Sequence, residues 1–279
     1  MRIDAHQHFW QYDAQRDGWI TDEMAALKRD FMPQDLVPLL AANEVDGCIA
    51  VQADSSERET EFLLGLASQH AKIAGVVGWL DLCAAALPER LEHFSRFEKL
   101  CGVRHVVQAE PDDRFMLRED FQRGIAMLAD FGLTYDILIY PRQLPAAIEL
   151  AAKFPKQPFI VDHLAKPEIK GARISEWAAQ MRIIAQNPNV YCKVSGLITE
   201  ADWHAWRKEE FRPYLDVAFE AFGPDRLIFG SDWPVCLLAG TYGQVKQLIS
   251  GYTTDFSAAD RANIFGLNAV HFYGLRVNA

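Results

Sequence analysis

The pattern that decides the fold begins with Arg2-Ile3-Asp4-Ala5-His6-Gln7-His8, a short apolar start that ends in two histidines spaced two apart. On a β-strand this spacing directs both imidazoles to the same face. Near the other end of the chain, Phe229-Gly230-Ser231-Asp232-Trp233-Pro234 ends a second apolar run. If the first and last strands of one closed sheet are neighbours, His6, His8 and Asp232 meet. Two imidazoles and a carboxylate suit a divalent metal or an acid–base site.

Eight short apolar or β-branched runs recur along the chain, each followed by residues with helical spacing. They cover 2–8, 46–52, 73–81, 102–108, 133–140, 158–164, 190–196 and 226–231. Strands that alternate with helices predict a parallel sheet, and eight such units predict a single-domain (β/α)₈ TIM-like barrel over residues 1–279. A doubly wound open sheet is the second choice. It would need a Gly-rich phosphate loop after a strand, and the sequence shows none.

The amino-acid composition and net charge limit the kinds of molecule that this protein is expected to bind. The chain has 279 residues, half of them apolar, and a net charge of −10. Scattered Lys and Arg argue against nucleic acid or an anionic membrane as a partner. No apolar run reaches the roughly 18 residues of a membrane span, and the N-terminus lacks a signal-peptide pattern. We therefore expect a cytoplasmic protein with a small-molecule substrate, and we leave open whether it forms a homo-oligomer.

Polar side chains end every predicted strand, where the active site of such a barrel lies. Burying these groups without partners would cost several kcal/mol each, so their convergence predicts a polar site. In chain order they are His6 and His8, Gln52, Trp79 and Asp81, Arg104, His105 and Gln108, Tyr135 and Asp136, Asp162 and His163, Lys193 and Ser195, and Asp232.

Two of these positions allow a purely structural interpretation as well as a functional one, and at a third place two adjacent residues compete for the inward face. Lys193 lies inside an apolar strand, where a lysine is rarely buried without a partner or a purpose; pairing with an acidic residue would explain it structurally. His163 could be a core histidine bonded to a neighbour. Arg104 and His105 are adjacent, so they are not expected to face inward together, and Arg104 is favoured.

Several separate segments, all in order, resemble the amidohydrolase superfamily in its amidohydrolase 2 branch, over essentially the whole chain. Within that branch they look most like the sugar-lactone hydrolases, the group that includes the L-fuconolactonases. The segments are His6-Gln7-His8-Phe9-Trp10, Ala50-Val51-Gln52-Ala53, Glu59-Thr60, Val76-Val77-Gly78-Trp79, Arg142-Gln143-Leu144-Pro145, Asp162-His163-Leu164-Ala165-Lys166-Pro167, Cys192-Lys193-Val194-Ser195-Gly196-Leu197, Thr199-Glu200-Ala201-Asp202-Trp203 and Gly230-Ser231-Asp232-Trp233-Pro234-Val235-Cys236.

The resemblance implies a TIM-like barrel that opens the ring of an aldonic acid lactone such as L-fuconolactone. Metal-rich members of the superfamily carry a bridging lysine on the fourth strand and a histidine on each of the fifth and sixth. Here the fourth strand has no lysine, and the fifth offers Tyr135 and Asp136, while His163 matches the sixth-strand histidine. A binuclear centre is therefore not expected. We expect one divalent ion, zinc, held by His6, His8 and Asp232, or else a metal-independent reaction.

The expected roles follow from what lactone hydrolysis needs: an activated water, charge stabilisation on the carbonyl oxygen and a proton for the leaving oxygen. Asp232 is the predicted base and His163 the predicted acid. Arg104 and Lys193 are predicted to polarise the carbonyl or hold the carboxylate produced. The predicted substrate contacts are Gln52, Trp79, Asp81, His105 and Asp136. Two alternatives stay open: a metal-dependent decarboxylase of the same branch, and a ligand-binding barrel without catalysis.

Overall fold

The computed structural model describes residues 1–276, and eight parallel strands form its sheet. Each strand pairs with the next one along the chain. The strands are β1 (Ile3–Gln7), β2 (Gly47–Val51), β3 (Ile73–Gly78), β4 (Leu100–His105), β5 (Thr134–Ile137), β6 (Phe159–Val161), β7 (Val190–Val194) and β8 (Leu227–Phe229). The predicted barrel is confirmed. The doubly wound sheet is excluded, because that fold requires the strand order to reverse.

Helices lie between the strands and cover the barrel. They are α1 (Pro33–Ala42), α2 (Glu57–Gln69), α3 (Leu87–Phe94), α4 (Glu119–Leu128), α5 (Leu144–Lys153), α6 (Ser175–Ile184), α7 (Arg212–Phe222), α8 (Tyr242–Tyr252), α9 (Ala258–Ala262) and α10 (Asn268–Phe272). All residues of β1 and β2 are buried, because helices cover one face of the sheet and interior side chains cover the other. This two-sided burial explains why the strands read as near-continuous apolar runs. Among residues 1–276, no helix combines the length and the apolar content that crossing a bilayer demands.

The barrel closes where the chain after β8 meets β1. The backbone N–H of Asp232 donates to the carbonyl of His6 at 2.8 Å, and that of His8 donates to Trp233 at 2.7 Å. The Asp4 carboxylate reinforces this seam by accepting from the backbone N–H of Ser231 at 2.8 Å and from its hydroxyl at 2.6 Å. His6, His8 and Asp232 themselves form these backbone bonds, so closure of the barrel brings their side chains together.

The C-terminal helix α10 closes the end of the barrel formed by the amino ends of the strands. Phe272 and Tyr273 pack against interior strand residues such as Ile3, Ile49 and Ile228. The turn before α10 lies against the start of β1, since a Cβ on Gly266 would fall 2.2 Å from the carbonyl oxygen of Met1. With this end filled, the open end is the one formed by the carboxyl ends of the strands.

Candidate active site

Four buried side chains meet at the carboxyl end of the barrel: His6, His8, His163 and Asp232, called here the histidine–aspartate cluster. The Nε2 atoms of His8, His6 and His163 lie 3.5, 3.8 and 3.9 Å from Oδ1 of Asp232. These distances are longer than an ordinary hydrogen bond. Three imidazoles are therefore directed at one carboxylate oxygen without being bonded to it.

The other ring nitrogen of each histidine is held in place. Nδ1 of His8 lies 2.8 Å from the carbonyl oxygen of Val51, which can only accept, so Nδ1 carries the proton and Nε2 keeps its lone pair. Nδ1 of His163 lies 2.9 Å from the Ser195 hydroxyl. Nδ1 of His6 lies 3.2 Å from Nζ of Lys193. Such outer contacts fix the ring orientation of histidines that bind metals.

Unusual backbone conformations aim two of these side chains. Asp232 has φ of 58°, and the turn from His163 to Lys166 holds four consecutive non-glycine residues with φ between 51° and 56°. Non-glycine residues in this left-handed region cost free energy and concentrate at functional sites. Gly196, with φ of 63°, makes room for the turn, since a Cβ there would fall 2.5 Å from Nδ1 of His163. The strain therefore supports the functional interpretation of His163.

Burial and neighbouring side chains set the protonation states of His6, His163 and Asp232. Burial lowers the pKa of His163 to about 4, against the attraction of Asp232, and lowers the pKa of His6 well below its ordinary value. Burial alone would raise the pKa of Asp232, but His163, His8 and His6 outweigh it and hold that pKa below its usual range. Neutral imidazoles and an ionised carboxylate are the forms that bind divalent cations.

The donor set fits a divalent metal ion. His6, His8 and Asp232, the predicted ligands, place one donor atom each within 4.8 Å of one another. A second such group, His6, Asp162 and His163, shares His6 with the first. The sequence analysis predicts His163 to be a general acid and assigns Asp162, one of the polar residues at strand ends, no specific chemical role. Nitrogen and oxygen donors in this number suit a single ion of the transition series or zinc.

Beneath the cluster lies a set of four buried charges, called here the barrel ion network: Arg104 from β4, Asp136 from β5, Asp162 after β6 and Lys193 from β7. Arg104 Nη1 lies 3.0 Å from Oδ2 of Asp162, and Lys193 Nζ lies 3.0 Å from Oδ1 of Asp162 and 2.5 Å from Oδ2 of Asp136. The hydroxyl of Tyr273 donates to Asp136 at 2.9 Å. Two cations and two anions thus balance inside the barrel.

The network keeps its charges despite burial. Burial opposes ionisation of Asp162, but Lys193, His6 and Arg104 outweigh it and hold its pKa well below the usual range. Burial would likewise lower the pKa of Lys193, yet Asp136 and Asp162 raise it. Arg104 links the network to the cluster, since its Nη1 also lies 3.3 Å from Nε2 of His6.

Three residues that the sequence predicts to act on the substrate lie away from the cavity. Lys193, Asp136 and Gln52 are fully buried, and none of them lines the cavity above the cluster. Lys193 and Asp136 neutralise each other, and the amide of Gln52 donates to the carbonyl of Arg104 at 3.2 Å. Lys193 therefore combines both interpretations offered by the sequence: it is paired with acidic residues, and it supports His6 from below.

Trp79, Asp81 and His105 also differ from the expectation, because none of them lines the cavity. The indole N–H of Trp79 donates to Nδ1 of His105, and Nε2 of His105 lies 2.7 Å from Glu110. Asp81 accepts from the backbone N–H of Cys83 at 3.0 Å. Because neighbouring residues of a strand point to opposite faces, Arg104 faces the barrel interior and His105 the outer layer. The choice between these two is settled in favour of Arg104.

A cavity of about 600 Å³ opens above the cluster, a size suited to a small molecule. His8, His163, Asp232 and Arg104 contribute to its lining. Its wall also holds residues to which the sequence analysis gave no part. They are, among others, Trp10, Trp19, Asp54, Tyr140, Lys166 and Glu200. All lie in loops or turns beyond the strands, where apolar periodicity carries no information.

An amidohydrolase family profile matches residues 3–275, nearly the whole barrel. The chain belongs to the amidohydrolase family. An L-fucono-1,5-lactonase of Burkholderia multivorans is 43% identical to it, over 99% of this chain and 96% of that protein. An L-fucono-1,5-lactonase of Burkholderia ambifaria is 40% identical, over 98% and 95%. A crystal structure of a Burkholderia multivorans amidohydrolase with bound zinc superposes with a TM-score of 0.96 at 43% identity, covering 99% of this chain and 100% of that one.

Proposed function

We propose that this amidohydrolase opens the ring of a sugar-acid lactone, with L-fucono-1,5-lactone as the first candidate substrate. The observation that carries the proposal is the convergence of three imidazoles and the ionised Asp232 at the floor of a cavity of about 600 Å³. The similarity to L-fucono-1,5-lactonases over nearly the full length supports the choice of substrate. A lactone carbonyl is attacked by water, and the floor of this cavity carries the groups that activate water.

We assign His6, His8 and Asp232 as ligands of one zinc ion, with His163 as a fourth donor. Zinc is favoured because the similar crystal structure contains it and because imidazole and carboxylate donors suit it. Bound there, zinc would lower the pKa of a water molecule and polarise the lactone carbonyl. The Ser195 and Val51 contacts keep the rings of His163 and His8 turned toward that position.

The side chains themselves perform the proton transfer and the orientation. Asp232, ionised at neutral pH, accepts the proton of the attacking water. Arg104 places a fixed positive charge at the cavity floor, where negative charge develops on the carbonyl oxygen. Lys193 acts through His6 and Asp162 by holding them in position. Trp10, Trp19 and Trp203 give the cavity flat apolar walls against which a sugar ring can pack.

Decarboxylation is the second candidate. An additional histidine beside the predicted metal ligands is the feature expected of a decarboxylase, and His163 supplies a third imidazole to the cluster. Against a decarboxylase, the fifth strand carries no histidine. It contributes Asp136 instead, and this carboxylate is paired with Lys193. A binding barrel without catalysis is disfavoured, because Asp232 and its three imidazoles form a complete set for activating water.

A lactone panel distinguishes these functions. The purified protein is assayed with γ- and δ-lactones of six-carbon aldonic acids in a weakly buffered pH indicator, with carbon dioxide measured in parallel on aromatic acids. We expect acid release from sugar δ-lactones and one equivalent of metal per chain by elemental analysis. Release of carbon dioxide would favour the decarboxylase, and tight lactone binding without turnover would favour the binding barrel. Two equivalents of metal would contradict the single site.

A further inference from the structure

Ring opening leaves one requirement unmet by the groups assigned so far: the ring oxygen needs a proton as its bond to the carbonyl carbon breaks. His163 was the predicted donor, but its Nδ1 lies 2.9 Å from the Ser195 hydroxyl, and its Nε2 is assigned above as a fourth donor to the metal. Arg104 lines the cavity, but a guanidinium does not release a proton under ordinary conditions. Another side chain must supply the proton.

We propose that Lys166 donates this proton to the ring oxygen of the lactone, an inference that rests on the proposed function. Lys166 lines the same cavity as Asp232 and His163. Its side chain is 19% exposed, enough to reach a bound molecule without being free in solvent. Its Nζ lies 3.7 Å from Oε1 of Glu200, which keeps the ammonium compensated. That distance exceeds a hydrogen bond, so the N–H groups stay available to substrate.

The strained turn explains how Lys166 comes to this position. It is the last of the four left-handed residues that begin at His163. The indole N–H of Trp177 donates to the carbonyl of Leu164 at 2.7 Å and anchors the turn from outside the cavity. Nζ of Lys166 also lies 5.6 Å from the ring centre of Tyr140, a cation–π contact that limits its swing. One turn therefore holds both an imidazole of the cluster and the Lys166 ammonium at the same cavity.

The proposed step balances as follows. Water attacks the carbonyl carbon while Asp232 accepts a proton from that water. The bond between the carbonyl carbon and the ring oxygen breaks, its electron pair goes to the ring oxygen, and that oxygen takes a proton from Nζ of Lys166 to become a hydroxyl. Asp232 returns its proton through solvent, Lys166 regains one, and the product acid ionises. One proton is released per turnover, as in any lactone hydrolysis.

The leaving group provides the test. Lys166→Met is compared with wild type on a sugar δ-lactone, whose leaving alkoxide needs a proton, and on dihydrocoumarin, whose leaving phenoxide does not. We expect kcat on the sugar lactone to fall by about 10²–10³-fold, the size typical of a general acid, with little change in KM, and kcat on dihydrocoumarin to fall far less. Equal losses on both substrates, or a change confined to KM, would overturn the proposal. A Tyr140→Phe variant that loses as much as Lys166→Met would assign the proton to the tyrosine instead.

A matched control and a second measurement complete the experiment. Lys170 lies four residues further on, is exposed and pairs with Asp202 at 3.2 Å, so Lys170→Met should behave as wild type. Lys166→Cys treated with 2-bromoethylamine restores an ammonium at the same position and should regain at least about tenfold of the lost kcat. Wild type treated in the same way controls for reaction at the partly buried Cys83. No recovery, in a variant that melts normally, would overturn the inference even if dihydrocoumarin is a poor substrate.

The proposed function and this inference fail separately. If wild type opens no sugar lactone, the proposed function is wrong. If wild type is a lactonase and Lys166→Met keeps its kcat, the lactonase stands and only the assignment of Lys166 falls.

Discussion

The histidine–aspartate cluster and the barrel ion network lie one above the other, and both bury ionisable groups. In the network each charge has an opposite charge within 2.5 to 3.0 Å, so the side chains satisfy one another. In the cluster the imidazole nitrogens stay 3.5 to 3.9 Å from Asp232. Burial of polar groups therefore does not by itself indicate chemistry. What distinguishes the cluster is that three imidazoles converge on one carboxylate oxygen at distances too long for hydrogen bonds.

The comparison predicts that the two layers respond differently to substitution. A change in the cluster should remove activity and leave the fold, because the fold does not depend on its contacts. A change in the network should remove stability, because an unpartnered buried charge is costly.

The largest effect is expected from Asp232→Asn. Asparagine keeps the shape but cannot accept a proton from water at neutral pH, so kcat should fall by about 10²–10⁴-fold on a sugar lactone. A thermal melt beside the kinetics should show little change. If this variant melts normally and keeps near wild-type kcat, the base lies elsewhere, and His163 becomes the first candidate.

The next effect is expected from Lys193→Met. Removal of this ammonium leaves the buried Asp136 without a cation and leaves Asp162 with Arg104 alone, so the free energy of unfolding should fall by about 3–5 kcal/mol in urea denaturation. The control is Lys170→Met, which breaks an exposed pair and should cost at most about 1 kcal/mol.

Addition of Asp136→Asn sharpens that test, because it removes the carboxylate that Lys193→Met leaves without a cation. The double variant should regain part of the lost stability. Lys193→Met with wild-type stability would show that the barrel ion network is not what holds this part of the barrel.

The smallest effect is expected from Tyr273→Phe. This change removes only the hydroxyl that donates to Asp136, whose carboxylate keeps Lys193. A hydrogen bond to a charged group contributes at least about 1.5 kcal/mol, and we expect a loss of that size in denaturation. The value of kcat should stay close to wild type. A large loss of kcat with unchanged stability would mean that the network takes part in chemistry, and the contrast between the two layers would fail.

Much of this arrangement could be predicted from sequence, because parallel strands buried on both faces read as apolar runs. The run at 2–8 and the Asp232 segment placed the seam of the barrel correctly, and with it His6, His8 and Asp232. Strand ends were less exact. The sequence predicts that the third strand reaches residue 81, whereas β3 ends at Gly78. Trp79 and Asp81 therefore lie in the loop that follows.

The remaining residues escaped prediction for a physical reason. The sequence places Asp162 at a strand end, but its role comes from its ion pairs with Arg104 and Lys193 on other strands. Contacts between strands cannot be recognised from a single sequence. Lys166 and Glu200 lie in separate loops whose paths depend on the whole fold. Periodicity determines which face of a strand is buried, and it does not determine where a turn delivers a side chain.

The seam between β1 and the chain after β8 has a consequence for how the enzyme matures. The backbone bonds that pair His6 with Asp232 join positions from nearly opposite ends of the chain. Contacts of such high sequence separation form late, because a long loop must close first. A nascent polypeptide that has not yet released its eighth strand from the ribosome therefore lacks both the closing strand and the Asp232 carboxylate. The histidine–aspartate cluster therefore assembles only when the barrel is complete, and a partly folded chain does not contain it.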